Sequence, residues 1–202
     1  MGKKLAFTLS EMLITLVIIG VVASLMIQAL QTVNPDKDKI MFLKTFRAIE
    51  IAVADIIRDG SKYDQNYYAQ NNSDFSKDPL PNAKAVIDGT TYLAPDSLKQ
   101  SNALCYFLAE QFNLVDGVSC SVTDGHNFQT TQGVCIERLY PFNGTYKDII
   151  VDTRCDGKDE HKFNIRIYSD GHLQVPATGE GGVSNENQEK AKKWMKNQLT
   201  TR

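Results

Sequence analysis

The sequence predicts an α+β protein in which a long N-terminal helix, transmembrane in its first half and amphipathic in its second, packs on a small antiparallel β-sheet. Three observations support this fold class. Residues 7–30 form an apolar run of helical length, residues 40–58 repeat apolar positions at helical spacing, and residues 133–175 hold short alternating segments separated by turn dipeptides. With 202 residues, the chain is long enough for one soluble domain with its own core beside such an anchor.

The N-terminal segment joins a short basic leader to an apolar stretch. Lys3 and Lys4 precede a run that, from residue 7 to residue 27, has about the length a helix needs to cross a hydrocarbon core. The positive-inside rule keeps the lysines cytoplasmic and sends the rest of the chain across the membrane. Glu11 interrupts the run, and a carboxylate at that depth costs roughly 2.5–3.5 kcal/mol, so it normally has a partner.

Three interpretations of this N-terminus compete. A secretory signal peptide requires a small-residue cleavage site after the apolar core, and Ala23-Ser24-Leu25 is a poor one because the apolar stretch continues past it. A plain signal anchor explains the lysines and the hydrophobicity but leaves Glu11 unexplained. The third interpretation is that the chain is cut before the apolar segment.

Residues 3–30 resemble the class III signal of type IV pilins and type II secretion pseudopilins, because a small residue, Phe-Thr-Leu, a glutamate and an apolar helix follow one another in register. The resemblance implies that a membrane peptidase removes residues 1–6 by cleaving between Ala6 and Phe7, and that Phe7 is then N-methylated. It also implies that Glu11 is the assembly residue, which meets the new amine of a neighbouring subunit. Two positions depart from the family pattern: Ala6 stands where glycine is usual, and Gln28 stands where many major pilins have proline.

The function implied by the resemblance is structural. The chain would be a minor pilin or a type II secretion pseudopilin, held by residues 7–30 in the inner membrane with a cytoplasmic N-terminus and an extracytoplasmic domain, and later part of a periplasmic or surface filament. Its implied partners are the prepilin peptidase, other pilin or pseudopilin subunits and an inner-membrane assembly platform. The alternative function is that of a membrane-anchored extracytoplasmic binding or enzymatic domain that never polymerises.

The second half of the predicted stalk covers residues 31–60. Asn34-Pro35-Asp36 marks a bend or restart, since proline suits a first helical position and disfavours helical angles in the residue before it. Gly60 is the expected stop. The apolar stripe of this helix consists of Phe42, Phe46, Ile49, Val53 and Ile56.

Residues 61–180 are expected to form the globular, pilin-like domain. Residues 61–95 are interpreted as a long surface connection with one short strand at Ala85–Ile87, and Pro95-Asp96-Ser97 as the start of a short helix that carries Cys105. Residues 181–202 are interpreted as a flexible joint and an amphipathic helix over Asn185–Leu199, either packed or free to dock elsewhere. The later strands are expected at Gly133–Tyr140, Lys147–Asp152, Phe163–Tyr168 and His172–Val175.

Four cysteines, all beyond the apolar segment, lack the C-x-x-C spacing of a zinc or thioredoxin-like site. An extracytoplasmic location favours two disulfides. Of the three pairings, the sequential one is favoured because short loops are the easiest to close, and buried thiols are the alternative. It joins Cys105 to Cys120 and Cys135 to Cys155.

Little in the sequence indicates further chemistry. A net charge of −2 gives no electrostatic footprint for nucleic acid, and the three histidines lack metal-ligand spacing. Asp152, Asp156 and Asp159 are a weak calcium candidate that lacks the order of an EF-hand loop, and turn chemistry explains them more simply. The chain has no nucleophile-elbow, Walker or zincin motif, so neither an enzyme nor a cofactor is predicted.

Overall fold

The computed structural model describes residues 9–32, 36–66, 80, 82–93, 103–120, 127–139, 146–168, 170–179 and 182–199. The chain divides into two compact units, residues 1–37 and residues 38–202. It is an α+β protein with an N-terminal helix and antiparallel sheets. Its helices are α1 (Leu9–Thr32), α2 (Lys37–Arg58), α3 (Ala103–Glu110) and α4 (Asn185–Leu199), with a 3₁₀ turn at Asp159–His161. Its strands are β1 (Lys84–Ile87), β2 (Thr90–Leu93), β3 (Phe128–Gln129), β4 (Cys135–Leu139), β5 (Tyr146–Asp152), β6 (Lys162–Tyr168) and β7 (Leu173–Gln174).

The first unit contains α1, a helix of 24 residues. The sequence predicts a membrane span over residues 7–30. Within the described residues, no helix proves both long enough and apolar enough to cross a membrane.

Helix α2 supplies one wall of the core in the second unit. All five residues of the predicted apolar stripe are buried, between 0% and 5% exposed, so the periodicity prediction is confirmed. The helix ends as expected at Arg58, where the Asp59 N–H still donates to the Asp55 carbonyl at 3.1 Å before the chain turns at Gly60. The bend predicted at residues 34–36 falls largely outside the described residues.

The main sheet has the strand order β3-β4-β5-β6-β7, with every pair antiparallel. Phe163, Ile165 and Ile167 of β6 alternate inward, as the sequence predicts. The Phe163 ring lies 5.1 Å from the Phe42 ring of α2, centroid to centroid, so α2 packs on this face. The four predicted later strands are present with ends shifted by a few residues, whereas the two-residue strand β3 was not predicted.

A second, two-stranded sheet corrects the prediction of a single short strand at Ala85–Ile87. The structure has a hairpin, β1 with β2, joined by Asp88 and Gly89. Both turn residues have positive φ, 49° and 78°, as a type I′ turn requires. The Asp-Gly dipeptide was the available signal, so the second strand could have been predicted.

Helix α4 completes the core at the edge of β6 that β7 leaves open. Its Trp194 packs against Phe42 and Phe163, with ring centroids 5.9 and 5.4 Å away. Its Gln188 side chain accepts from the Asn164 N–H at 3.0 Å and donates to the Asn164 carbonyl at 3.3 Å. The predicted C-terminal helix is therefore present and packed, and one of its side chains takes the place of a neighbouring strand.

Candidate functional site

Helix α1 presents apolar side chains on every side. Successive residues of an α-helix point about 100° apart, so consecutive apolar positions cover the whole circumference. A helix that is apolar all round is normally buried in protein or in lipid, so we expect protein or lipid to cover this surface. Among the described side chains of α1, the large apolar ones that are exposed, each 43–68%, are Met12, Leu13, Ile14, Leu16, Val17, Ile18, Ile19, Val21 and Val22.

The residues predicted for processing and assembly lie at the start of this helix. Ala6 and Phe7 fall outside the described residues, and for Glu11 the structure gives the backbone position, in the first described turn of α1. Glu11 is the one charged residue in the sequence of α1. The positive end of a helix macrodipole favours a carboxylate, and a cationic amine within reach would favour it further.

The first turn of α2, in the second unit, is held by an ion pair. Arg154 donates from Nε and from one terminal nitrogen to the two oxygens of Asp38, each at 2.8 Å. The Thr153 hydroxyl donates to the same carboxylate at 3.0 Å. Burial raises the pKa of Asp38, but the hydrogen bonds from Arg154 and Thr153 outweigh it and lower the pKa below its usual value.

The segment that carries Arg154 is itself fixed by a buried carboxylate. Asp152 is fully buried and accepts backbone N–H groups from Arg154, Cys155 and Gly157 at 2.7–2.9 Å. Cys155 adopts a left-handed φ of 55°, which costs energy for a residue with a Cβ and is held here by its surroundings. Its disulfide to Cys135 ties the segment to β4. The segment that carries Arg154 is therefore fixed by contacts other than the one between Arg154 and Asp38.

The structure does not bring the three calcium candidates together as a metal site. Asp152 is committed to backbone donors. Asp156 contacts Nδ1 of the buried His161 at 3.0 Å, and this hydrogen bond lowers the pKa of Asp156. Asp159 lies 3.6 Å from Nζ of Lys162. Across the described residues, no group of three or more His, Cys, Asp or Glu side chains could hold a metal ion.

The cysteines are joined in the sequential pairing that the sequence favoured. Cys105 on α3 is bonded to Cys120, with the two Cα atoms 5.7 Å apart. Cys135 on β4 is bonded to Cys155, with the two Cα atoms 4.9 Å apart. The first bond closes the segment that follows α3, and the second closes the β4–β5 hairpin and the loop after it.

A buried ion pair crosses β5 and β6. Arg166 donates to both oxygens of Asp148 at 2.7 Å, and its guanidinium lies 3.6 Å from the centre of the Tyr146 ring. The Asp148 side chain is 1% exposed. The hydrogen bond to Asp148 is the largest influence on Arg166 and raises its pKa. This pair and the Asp38–Arg154 pair were not predicted, because no local sequence signal identifies partners that the fold brings together.

The comparison with known proteins concerns the N-terminal segment. Residues 1–27 match the prokaryotic N-terminal methylation motif, the signature of type IV pilins and pseudopilins. The resemblance seen in the sequence is thereby confirmed, and the chain carries the N-terminal signature of a type IV pilin-like precursor. No curated protein and no solved structure matches the chain.

Proposed function

We propose that this protein is a structural subunit of a type IV pilus-like filament, either a minor pilin or a type II secretion pseudopilin. The observation that carries the proposal is the methylation motif over residues 1–27, which includes the part of α1 that exposes apolar side chains all round. A polymer of such helices would cover that surface in each copy. The disulfide-bonded α+β domain then serves as the part exposed outside the membrane.

The proposed maturation begins in the inner membrane. Residues 7–30 hold the precursor there with its N-terminus in the cytoplasm, and a prepilin peptidase cuts between Ala6 and Phe7 and methylates Phe7. The subunit then passes through an inner-membrane assembly platform and joins other pilin or pseudopilin subunits in a periplasmic or surface filament.

Glu11 provides the register of assembly in this proposal. Apolar helices pack without strong directionality, whereas a charge buried in an apolar bundle is costly until it meets an opposite charge. The amine of Phe7 on a neighbouring subunit supplies that charge. One such pair per subunit is enough to select one axial position, which is the best-attested role of a buried ion pair.

Mass spectrometry of the mature N-terminus tests the processing. A chain that begins at N-methylated Phe7 is expected. A chain with Met1 intact would instead support the alternative of an anchored binding or enzymatic domain that never polymerises. A chain cut near residue 23 would also contradict the proposal, because it would have lost most of residues 7–30. An Ala6→Gly variant is the matched control and should be processed at least as completely, since it restores the residue usual in the family.

Substitution of Glu11 tests assembly separately from membrane insertion. Glu11→Ala should stay in the membrane fraction and form few or disordered filaments, because the charge that selects the register is gone. Glu11→Asp should retain part of the assembly. The control is Glu186→Ala, which removes an exposed carboxylate of α4 whose partner is Lys190. Filaments of normal number and order from Glu11→Ala would remove this role of Glu11.

A further inference from the structure

A concave site lies on the second unit between α2, the segment after α3 and the turn that joins β3 to β4. Its volume is about 370 Å³, within the range of small-molecule sites. Small residues of α2, Ala48 and Ala52, leave room at its floor, and Ile51, Phe112 and Ile136 add apolar surface. The floor therefore offers an apolar face to a ligand.

The rim of this site is fixed by backbone hydrogen bonds. The Thr131 N–H donates to the Asn113 carbonyl at 2.9 Å, and the Val115 N–H donates to the Gln129 carbonyl at 3.0 Å. The Thr130 N–H donates to the Val134 carbonyl at 2.9 Å and closes the β3–β4 turn. The disulfide of Cys105 holds α3 to the segment after it. A rim fixed in this way loses little entropy when a ligand binds.

The polar groups around the site are uncharged, with one exception. The side-chain amides of Gln111, Asn113 and Gln132 line it, and among the described residues none of them has a hydrogen-bond partner in the protein. Each amide offers both a donor and an acceptor. Among the described residues, Asp55 is the single charged group in the lining, and the one ion pair it makes with them is a long one of 3.9 Å to Arg58. An anionic ligand is therefore disfavoured here.

We propose that this site binds a neutral saccharide of one or two rings. Adjacent hydroxyls of a sugar match amides that both donate and accept, and the C–H face of a sugar ring matches the apolar floor. A carboxylate at the rim accepts hydroxyl protons and repels acidic sugars. The saccharide site depends on neither the filament role nor the N-terminal motif, so either proposal can be wrong while the other is right.

Ligand-observed NMR on the full chain tests the assignment. The protein is held in lauryldimethylamine oxide, a detergent without a sugar head-group, and the probes are N,N′-diacetylchitobiose, maltose and the anionic hyaluronan disaccharide, which also has two rings. Saturation transfer to at least one neutral disaccharide is expected, with weaker transfer to the anionic hyaluronan disaccharide. Asn113→Ala and Gln132→Ala should each weaken binding about three- to tenfold, the effect of one lost hydrogen bond.

Two further variants complete the test. Ala48→Phe fills the floor and should abolish binding, whereas Gln65→Ala removes an exposed amide outside the site and should leave binding unchanged. Should Ala48→Phe fail to fold, the contrast of Asn113→Ala with Gln65→Ala decides. Absence of saturation transfer to both neutral probes, equal transfer to the anionic hyaluronan disaccharide, or equal affinities in all variants would overturn the proposal. Loss of self-association in Ala48→Phe without any sugar signal would assign the site to a second copy of the chain and also overturn it.

Discussion

Arg154 donates hydrogen bonds to both carboxylate oxygens of Asp38, a residue 116 positions earlier in the sequence. These bonds join the loop after β5 to the first turn of α2. Asp38 also begins the second compact unit of the chain. The contact therefore fixes the end of the globular domain that is nearest in sequence to the N-terminal segment.

Loss of this contact should weaken the domain in a pH-dependent way. Because the folded state lowers the pKa of Asp38 below about 3.8, its contribution to stability is fully present above that value and is lost as the pH falls through the folded pKa. The unfolding midpoint of Asp38→Asn should lie below that of the wild type from pH 8 to pH 5, and the gap should close below about pH 4. Chemical denaturation of both proteins across this range measures it. A gap that persists unchanged at pH 3 contradicts the assignment.

Breaking the buried pair of Asp148 and Arg166 should be more costly. Asp148→Ala removes the carboxylate that pairs with a largely buried guanidinium, so a loss of about 3 kcal/mol in unfolding free energy is expected. Replacing both residues, Asp148→Leu with Arg166→Met, should recover most of that loss because no unpaired charge remains. Urea denaturation compares the two variants. A double variant as unstable as the single one would show that the packing of Arg166 on Tyr146 is the larger contribution.

Removal of the Gln188 amide should destabilise β6 at one position, Asn164. Gln188→Ala leaves the N–H and carbonyl of the buried Asn164 without their described partner, which should cost about 1–3 kcal/mol. Amide exchange at Asn164 should accelerate more than exchange elsewhere in β6. The neighbouring Glu189→Ala, on the exposed side of α4, is the matched control and should change neither quantity.

Each disulfide should contribute to stability mainly by restricting the unfolded chain. The closed loops span 15 and 20 residues, so loss of either bond should cost about 3 kcal/mol. Paired variants, Cys105→Ala with Cys120→Ala and Cys135→Ala with Cys155→Ala, avoid free thiols. Non-reducing peptide mapping should find Cys105 with Cys120 and Cys135 with Cys155. Any other pairing in the native protein would contradict the structure.

The sequence predicts those parts of the fold that depend on local periodicity. The buried face of α2 follows from apolar residues at spacings of three and four, and β6 follows from the alternation of Phe163, Ile165 and Ile167. The β1–β2 hairpin was also within reach, since Asp88-Gly89 is a strong turn signal. The two-residue strand β3 was not, because its pairing depends on β4 and not on any pattern of its own.

The candidate sites likewise divide into those that a local sequence pattern predicts and those that only the folded structure reveals. The methylation motif is a contiguous pattern, and residues 1–27 are enough to identify it. The ion pair of Arg154 and Asp38 joins residues that no local sequence signal connects, so only the folded chain brings them together. The acidic residues at the end of β5 and after it were a weak calcium candidate in the sequence, but Asp152 accepts backbone N–H groups and Asp156 is hydrogen-bonded to a histidine.

The packing of α4 has a consequence for chains that lack this helix. The 15-residue helix closes the core and covers the free edge of β6. A product of premature termination would lack Trp194 and Gln188, and would present an open strand edge beside uncovered aromatic rings. Such edges promote aggregation. Helix α4 therefore protects the domain against association through the edge of β6, in addition to completing its core.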